Sequence, residues 1–288
     1  MAEFLSTPTG KFSFGLGEGP SWNPTTKQVS MVNIFEKEVH LFSLSGTTLS
    51  HVDTFRTEGD IGAALPLADG SFLLCENHGV FLRQPTGERH KVSDMPVSGE
   101  QFRCNDAKVG PDGKLWVGIM DYDATEGQGS LWRIGRDGSA QLLLSNLTIP
   151  NGLDWYGDEF WFVDGPTEEI RCYNWDHSGL TETKKRFVTN GTPDGLAIDS
   201  NGDIWLALWG QARVDHFNQA GEVVDSVAVP SSHSTSLCFA GENLDTLVMT
   251  SALMYTAEDE LKKFPRAGDV FTCQVSTTGR TANQIFTP

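Results

Sequence analysis

Apolar and polar positions alternate along this chain in short runs, and each run ends at a turn signal. Between Ala107 and Asp121, Ala107 and Val109 flank Lys108, Pro111-Asp112-Gly113 makes a turn, and Leu115, Trp116 and Val117 run out as a second strand. The same grammar returns from Glu18, Gly62, Asn151, Asp194 and Thr235: a short apolar strand, a turn, a strand rich in aromatic or large aliphatic residues, and a third alternating strand. Asn201-Gly202 serves as the first turn in one copy, and Asp137-Gly138 or Ala220-Gly221 closes others. The starts are separated by roughly 40 to 46 residues, the spacing of propeller blades.

A unit of this kind cannot cover both of its faces alone. Closing six of them in a ring covers the faces and leaves only short edges. The expected fold is therefore all-β, a six-bladed β-propeller occupying residues 1–288 as a single domain. A solenoid of the same units is the competing arrangement, but neither end carries a polar capping repeat. One interruption is helical: Thr256 to Phe264 has acids in its first turn and lysines in its last, which predicts a short surface helix inserted in the last blade.

Composition narrows the partners. The chain has 288 residues and a formal net charge of −17, so its surface repels a nucleic-acid backbone or an anionic membrane. No apolar run approaches membrane-spanning length and the first residues lack a signal-peptide pattern, giving the expectation of a cytoplasmic protein, monomeric or a small homo-oligomer. The cysteines, Cys75, Cys104, Cys172, Cys238 and Cys273, show no CxxC spacing and read as small buried hydrophobes rather than a thiolate site, a disulfide framework or, at Cys104, a nucleophile. The histidines (His40, His51, His78, His90, His177, His216 and His233) show no paired spacing and none is assigned as a ligand; only His233 has a phase that could bring it to the mouth of the ring.

Phase turns this repeat into chemistry. The first strand of every blade lines a central channel, so residues at equal phase become neighbours. Those positions are Glu18, Ile61-Gly62, Asn105-Asp106, Asn151, Asp194 and Ser234-Thr235. Most of the blades thus aim a carboxylate or carboxamide into one mouth, a donor set suited to a hard or borderline divalent cation: Ca²⁺, Mg²⁺, Mn²⁺ or Zn²⁺. Asp112, Asp137, Asn201 and Asp69-Gly70 fall at hairpin turns and read as structural. Trp155, Trp161, Phe162 and Trp209 read as blade core in preference to pocket wall.

The segments "GEGPSW" at Gly17 to Trp22, "CNDAKVGPDGKLWVGIM" at Cys104 to Met120, "IPNGLDW" at Ile149 to Trp155, "PDGLAIDSNGDIWLALWG" at Pro193 to Gly210 and "AGDVF" at Ala267 to Phe271 occur in order along the chain. In these the chain resembles the SMP-30/gluconolactonase/regucalcin-like family over nearly its full length, closest to its bacterial sugar-lactone hydrolases. The resemblance implies one divalent metal ion held by Glu18, Asn151 and Asp194, and substrate contacts from Arg103 and Asn105. Asp123 falls near a substrate-binding glutamate of some members, in the divergent segment "DYDATEGQGS", and Asn33 stands where the family commonly has Asp, a change expected to affect blade structure. The implied activity is metal-dependent hydrolysis of a small-molecule sugar lactone to its aldonic acid, with Asp194 taking or returning the proton and Arg103 holding hydroxyl or carboxylate groups. Two other classes fit the same residues: a non-catalytic metal- or ligand-binding propeller, and a hydrolase of another lactone or ester.

Overall fold

The computed structural model describes residues 2–8, 12–176 and 178–287, so His177 lies outside the described residues. Each apolar run of the repeat becomes a strand, and the turn signals become its hairpins. Gly17–Asn23, Gln28–Asn33, Glu38–Ser45 and Thr48–Arg56 form one four-stranded antiparallel sheet. Three further four-stranded sheets come next in sequence, beginning with the strands Ile61–Pro66, Phe102–Val109 and Pro150–Tyr156.

The fifth sheet has nine strands. It contains one meander from Thr192–Ile198 to Val223–Ala228 and a second from His233–Ala240 through Thr246–Ala252 to Phe271–Gln274, the two joined by a single bridge between Trp209 and His233. Segments from the other end of the chain complete both: Ala2–Leu5 pairs parallel with Val223–Ala228, and Thr7–Pro8 pairs antiparallel with Phe271–Gln274. The helix anticipated between Thr256 and Phe264 spans Glu258–Lys263, with Glu258, Asp259 and Glu260 in its first turn and Lys262 and Lys263 in its last. It comes after the Thr246–Ala252 strand, as an insertion should.

The leading strand of each meander packs against the leading strand of the next, and His233–Ala240 packs back on Gly17–Asn23. That contact closes the ring and excludes a solenoid. The spaces between successive meanders are filled by separate apolar clusters. Leu16, Val32 and Val39 meet Ile61, Leu74 and Phe81 in one of them, and Trp22, Met31 and Phe42 meet Ala240 and Val248 across the closure. Strand Leu115–Asp121 is buried along its whole length because it is covered on both faces by such clusters.

The turn carboxylates hold backbone, as the sequence suggests: Asp112 accepts the Lys114 N–H at 3.2 Å, Asp137 that of Ser139 at 3.0 Å and Asp69 that of Ser71 at 3.0 Å. Asn33 does comparable work. Its Oδ1 accepts the Leu16 N–H at 3.2 Å, as Glu76 accepts that of Gly59 at 2.8 Å and Asp164 that of Ile149 at 2.7 Å. In these units the residue ending the second strand ties down the loop that enters the first.

Candidate functional site

The leading strands share one further feature, which has no counterpart in the apolar pattern: each is bulged near its start. Cys104 pairs with Ile119 and Ala107 with Val117, so Asn105 and Asp106 together face only Gly118. Asn151-Gly152, Asp194-Gly195, Thr235-Ser236 and Gly19-Pro20 are displaced in the same way, and Gly62 is the extra residue between Ile61 and Ala63. A bulge leaves residues outside the ladder and re-aims their side chains. Here it lifts donors out of strict alternation at one level of the ring.

Close approach of neighbouring bulges depends on the residue next to each donor. A Cβ on Gly152 would stand 2.6 Å from the Asp194 carbonyl oxygen, and one on Gly195 only 2.7 Å from Ser236 Cα. In the third unit the corresponding residue is Asp106, whose Oδ1 accepts the Ala107 N–H at 2.8 Å.

Glu18, Arg103, Asn105, Asn151 and Asp194 are all buried. Arg103 Nη1 donates to Asn105 Oδ1 at 2.7 Å, and Asn105 Nδ2 donates to the Pro150 carbonyl at 2.9 Å, linking the third unit to the strand that carries Asn151. Asn151 in turn hydrogen-bonds the Asp194 side chain. Glu18 Oε2 accepts the N–H of Gly19 at 3.1 Å. Several polar atoms here are buried with no hydrogen-bond partner among the described residues: Asn151 Oδ1, Asp194 Oδ1 and Arg103 Nε.

The electrostatics come from that crowding. Burial first, then the Asp106 charge, pushes the Glu18 carboxyl up to about 8. Asp194 is pushed well above the carboxylate range, by burial and then by the charges of Glu18 and Asp106. Asp106 itself rises to about 6, mainly through burial. Arg103 opposes both Glu18 and Asp194, yet burial lowers its own affinity for its proton. The oxygens of Glu18, Asn151 and Asp194 form a donor set of the kind that suits a hard cation, which would relieve the repulsion and fill the orphaned acceptors.

The structure brings together Glu18, Arg103, Asn105, Asn151 and Asp194 but leaves Asp123 exposed on the turn after Asp121. Around Arg103 it places residues that sequence reasoning passed over. Phe35 lies with its ring centroid 5.8 Å from the guanidinium, and Tyr122 and Tyr255 both act on its charge. Tyr122 is fixed by donating to Asp60 at 2.7 Å and accepting from Asn77 at 3.1 Å. His233 stacks on Trp209 with centroids 4.1 Å apart, and Tyr255 meets Trp209 edge-on at 6.0 Å. Only the phase of His233 hinted at this. Trp155, Trp161 and Phe162 belong to the apolar clusters. Cys104 is a buried thiol pushed up to about 12 whose Sγ contacts the Glu76 carbonyl at 3.3 Å, surroundings that disfavour the thiolate.

Inside the ring, beyond the bulges, lies a cavity of ≈ 240 Å³ lined by Asp106, Lys108, Asp154 and the tail Arg280–Gln284. Asp154 is paired there, with Lys108 donating to its Oδ2 at 2.9 Å and Arg280 reaching its Oδ1 at 3.3 Å, while Asp106 accepts the Ala107 N–H. The tail crosses this end of the ring, with Asn283 donating to the Gly110 carbonyl at 2.5 Å, Gln284 to that of Trp22 at 3.2 Å, and the Ala68 N–H donating to the Gln284 carbonyl at 3.0 Å.

Comparison with known proteins bears on the family and the fold. A pentonolactonase of Haloferax volcanii is 30% identical over 276 residues, covering 92% of each chain. A 6-deoxy-6-sulfogluconolactonase of Pseudomonas putida is 28% identical over 272 residues, again with 92% of each chain covered. The crystal structure of a calcium-binding regucalcin from Agrobacterium tumefaciens superposes with a TM-score of 0.89 at 26% identity, covering 99% of both chains, and the sheets have a β-propeller-type arrangement. The model of the SMP-30/gluconolactonase/LRE-like region matches residues 16–253, and the chain belongs to that family.

Proposed function

We propose that the chain is a single-domain, six-bladed propeller that hydrolyses a sugar lactone to the aldonic acid, aided by one divalent cation held by Glu18, Asn151 and Asp194. The six-blade reading treats the nine-stranded sheet as two blades fused at the Trp209 and His233 bridge. The observation that carries the cation reading is the pair of buried, unpartnered acceptors, Asn151 Oδ1 and Asp194 Oδ1, beside a Glu18 carboxyl raised to about 8. The cation's contribution, when bound, is Lewis acidity toward a carbonyl oxygen.

The chain's own residues supply the rest. Asn151 hydrogen-bonds the Asp194 side chain and orients its carboxylate, which takes a proton from the attacking water. Water adds to the lactone carbon, the ring C–O bond breaks, and the proton passes from Asp194 to the departing ring oxygen. Arg103, fixed through Asn105, presents a planar donor fork to hydroxyls or to the new carboxylate. Tyr122, Tyr255 and Phe35 near Arg103 supply further hydroxyl groups and apolar ring surface. The named activities of the relatives, a pentonolactonase and a sulfogluconolactonase, support a polyhydroxylated lactone.

The test is acid release from pentonic and hexonic lactones by chelator-stripped protein, with Ca²⁺, Mg²⁺, Mn²⁺ or Zn²⁺ restored in turn. Cation-dependent release above the spontaneous rate is expected. Tight cation binding with no turnover on any lactone or ester would replace the enzyme reading with a binding role.

A further inference from the structure

A second cluster of metal-ligating groups lies in the fifth meander, away from the central ring. Ligand atoms of Asp199, Asp203 and His216 all fall within 4.8 Å of one another. Asp199 comes directly after the leading strand, Asp203 four residues on, and His216 on the third strand beside Trp205, whose indole stacks on the imidazole at 4.1 Å. The stacking fixes the ring plane with its Nε2 edge toward the two carboxylates.

The third meander shows how such a corner is ordinarily filled. There Arg133 occupies the register position of His216, paired with Trp116 as His216 is paired with Trp205. Its Nε donates to Asp112 Oδ2 at 2.5 Å, and the Trp116 indole leans on the same carboxylate at 3.4 Å. In the fifth meander a shorter imidazole replaces the guanidinium and does not close the gap. His216 Nε2 stands 3.6 Å from Asp199 Oδ2 and 3.6 Å from Asp203 Oδ2. His216 is 7% exposed, and among the described residues its ring nitrogens meet carboxylates at ion-pair distance, 3.5–3.6 Å, with none at close hydrogen-bond geometry.

A separation of 3.6 Å is too long for a hydrogen bond. It matches two ligands that share one ion: donors about 2.1 Å from a cation and roughly 110–120° apart lie about 3.4–3.6 Å from each other. The opposite nitrogen, Nδ1, faces Asp225 Oδ2 at 3.5 Å, so a third carboxylate lies behind the imidazole, close to where an outer ligand to a metal-bound histidine would stand. Asp199 is held in place meanwhile: Oδ1 accepts the N–H groups of Asn201 and Asp203 at 2.8 and 3.0 Å, and Oδ2 accepts the Thr277 hydroxyl at 2.9 Å and the Trp205 indole at 3.4 Å.

The geometry points to a divalent transition-metal site at Asp199, Asp203 and His216, with Asp225 behind the histidine. One imidazole and two carboxylates suit Zn²⁺ better than the all-oxygen ring of the channel does. The ion staples the first hairpin of this meander to its third strand. Through Thr277 it also tightens the start of the tail that crosses the ring.

Equilibrium dialysis against Zn²⁺ tests this in the full chain, with Glu18→Gln included to separate this site from the channel. His216→Arg rebuilds the cation found in the third meander and should keep the fold and lactone hydrolysis while bound Zn²⁺ falls by one equivalent per chain. Asp203→Asn, at the least buried corner of the cluster, should remove the same equivalent, and Glu18→Gln should leave it in place. Equal Zn²⁺ uptake by the parent, His216→Arg and Asp203→Asn proteins would overturn the site, leaving three carboxylates grouped around an imidazole with no ion between them.

Discussion

The two ends of the central ring contain similar chemistry in opposite states. At the bulged end, Glu18 and Asp194 are buried carboxyls pushed upward in pKa, facing a single guanidinium and two orphaned acceptors. At the other end, Asp154 is held between Lys108 and Arg280, and the tail lies over the cavity. Buried charge is therefore not what marks a site in this molecule. What separates the ends is whether the charge is compensated, because an uncompensated buried group persists only where something binds to it.

Exchange of single groups should break this contrast most sharply at the bulged end. Asp194→Asn keeps the shape and removes the proton acceptor; kcat for a lactone substrate is expected to fall about 10²–10⁴-fold, measured by acid release, with the circular dichroism spectrum unchanged. Arg103→Lys loses the planar fork but keeps the charge, and should raise KM about tenfold with a smaller change in kcat. A comparable loss at Lys108 would erase the distinction between the ends. Lys108→Met should instead leave kcat within about twofold and lower Tm by roughly 2–4 °C for each kcal/mol lost with the Asp154 pair.

Protons sharpen the same comparison. The Glu18 carboxyl sits near 8 in the fold against an ordinary 4.5, so the cation-free folded protein holds a proton that the unfolded chain releases between those values. That contribution to stability is complete below about 4.5 and is lost as pH rises through about 8. Tm of chelator-treated protein should therefore decline across this window in thermal melts, and a bound divalent cation should flatten the decline by replacing the proton. Glu18→Gln should make it shallower without cation, the remaining decline coming from the raised Asp194 and Asp106 carboxyls. The smallest effect is expected at Asp123, exposed on its turn: Asp123→Asn should change kcat/KM by less than about twofold, and a larger loss would extend the site to that turn.

Much of this was legible in the sequence because a repeat carries phase. Equal phase put Glu18, Asn105, Asn151 and Asp194 together before any coordinates, and the turn residues Asp112, Asp137 and Asp69 behaved as their chemistry required. The bulges were not legible, since an extra residue such as Asp106 reads in one dimension as one more strand residue. The tail was equally silent: residues 280–284 have no apolar period, and their role comes from long-range bonds to Gly110, Trp22 and Ala68. His216 was passed over because its carboxylates Asp199 and Asp203 lie in the turn between the first two strands of the meander, at spacings from the histidine that no local motif uses.

The closure of the ring also sets an order of events in time. The strand Phe271–Gln274 finds its outer neighbour in Thr7–Pro8, at the other end of the sequence. A ribosome adding about 5–20 residues per second makes these partners on the order of tens of seconds apart. For that interval the early meanders can stack on one another, but the ring stays open, with the apolar face of Trp22, Met31 and Phe42 waiting for Ala240 and Val248. A stalled or shortened chain would therefore expose a ready-made sticky flank, and newly made molecules of this protein should depend on chaperones most in the last moments of synthesis.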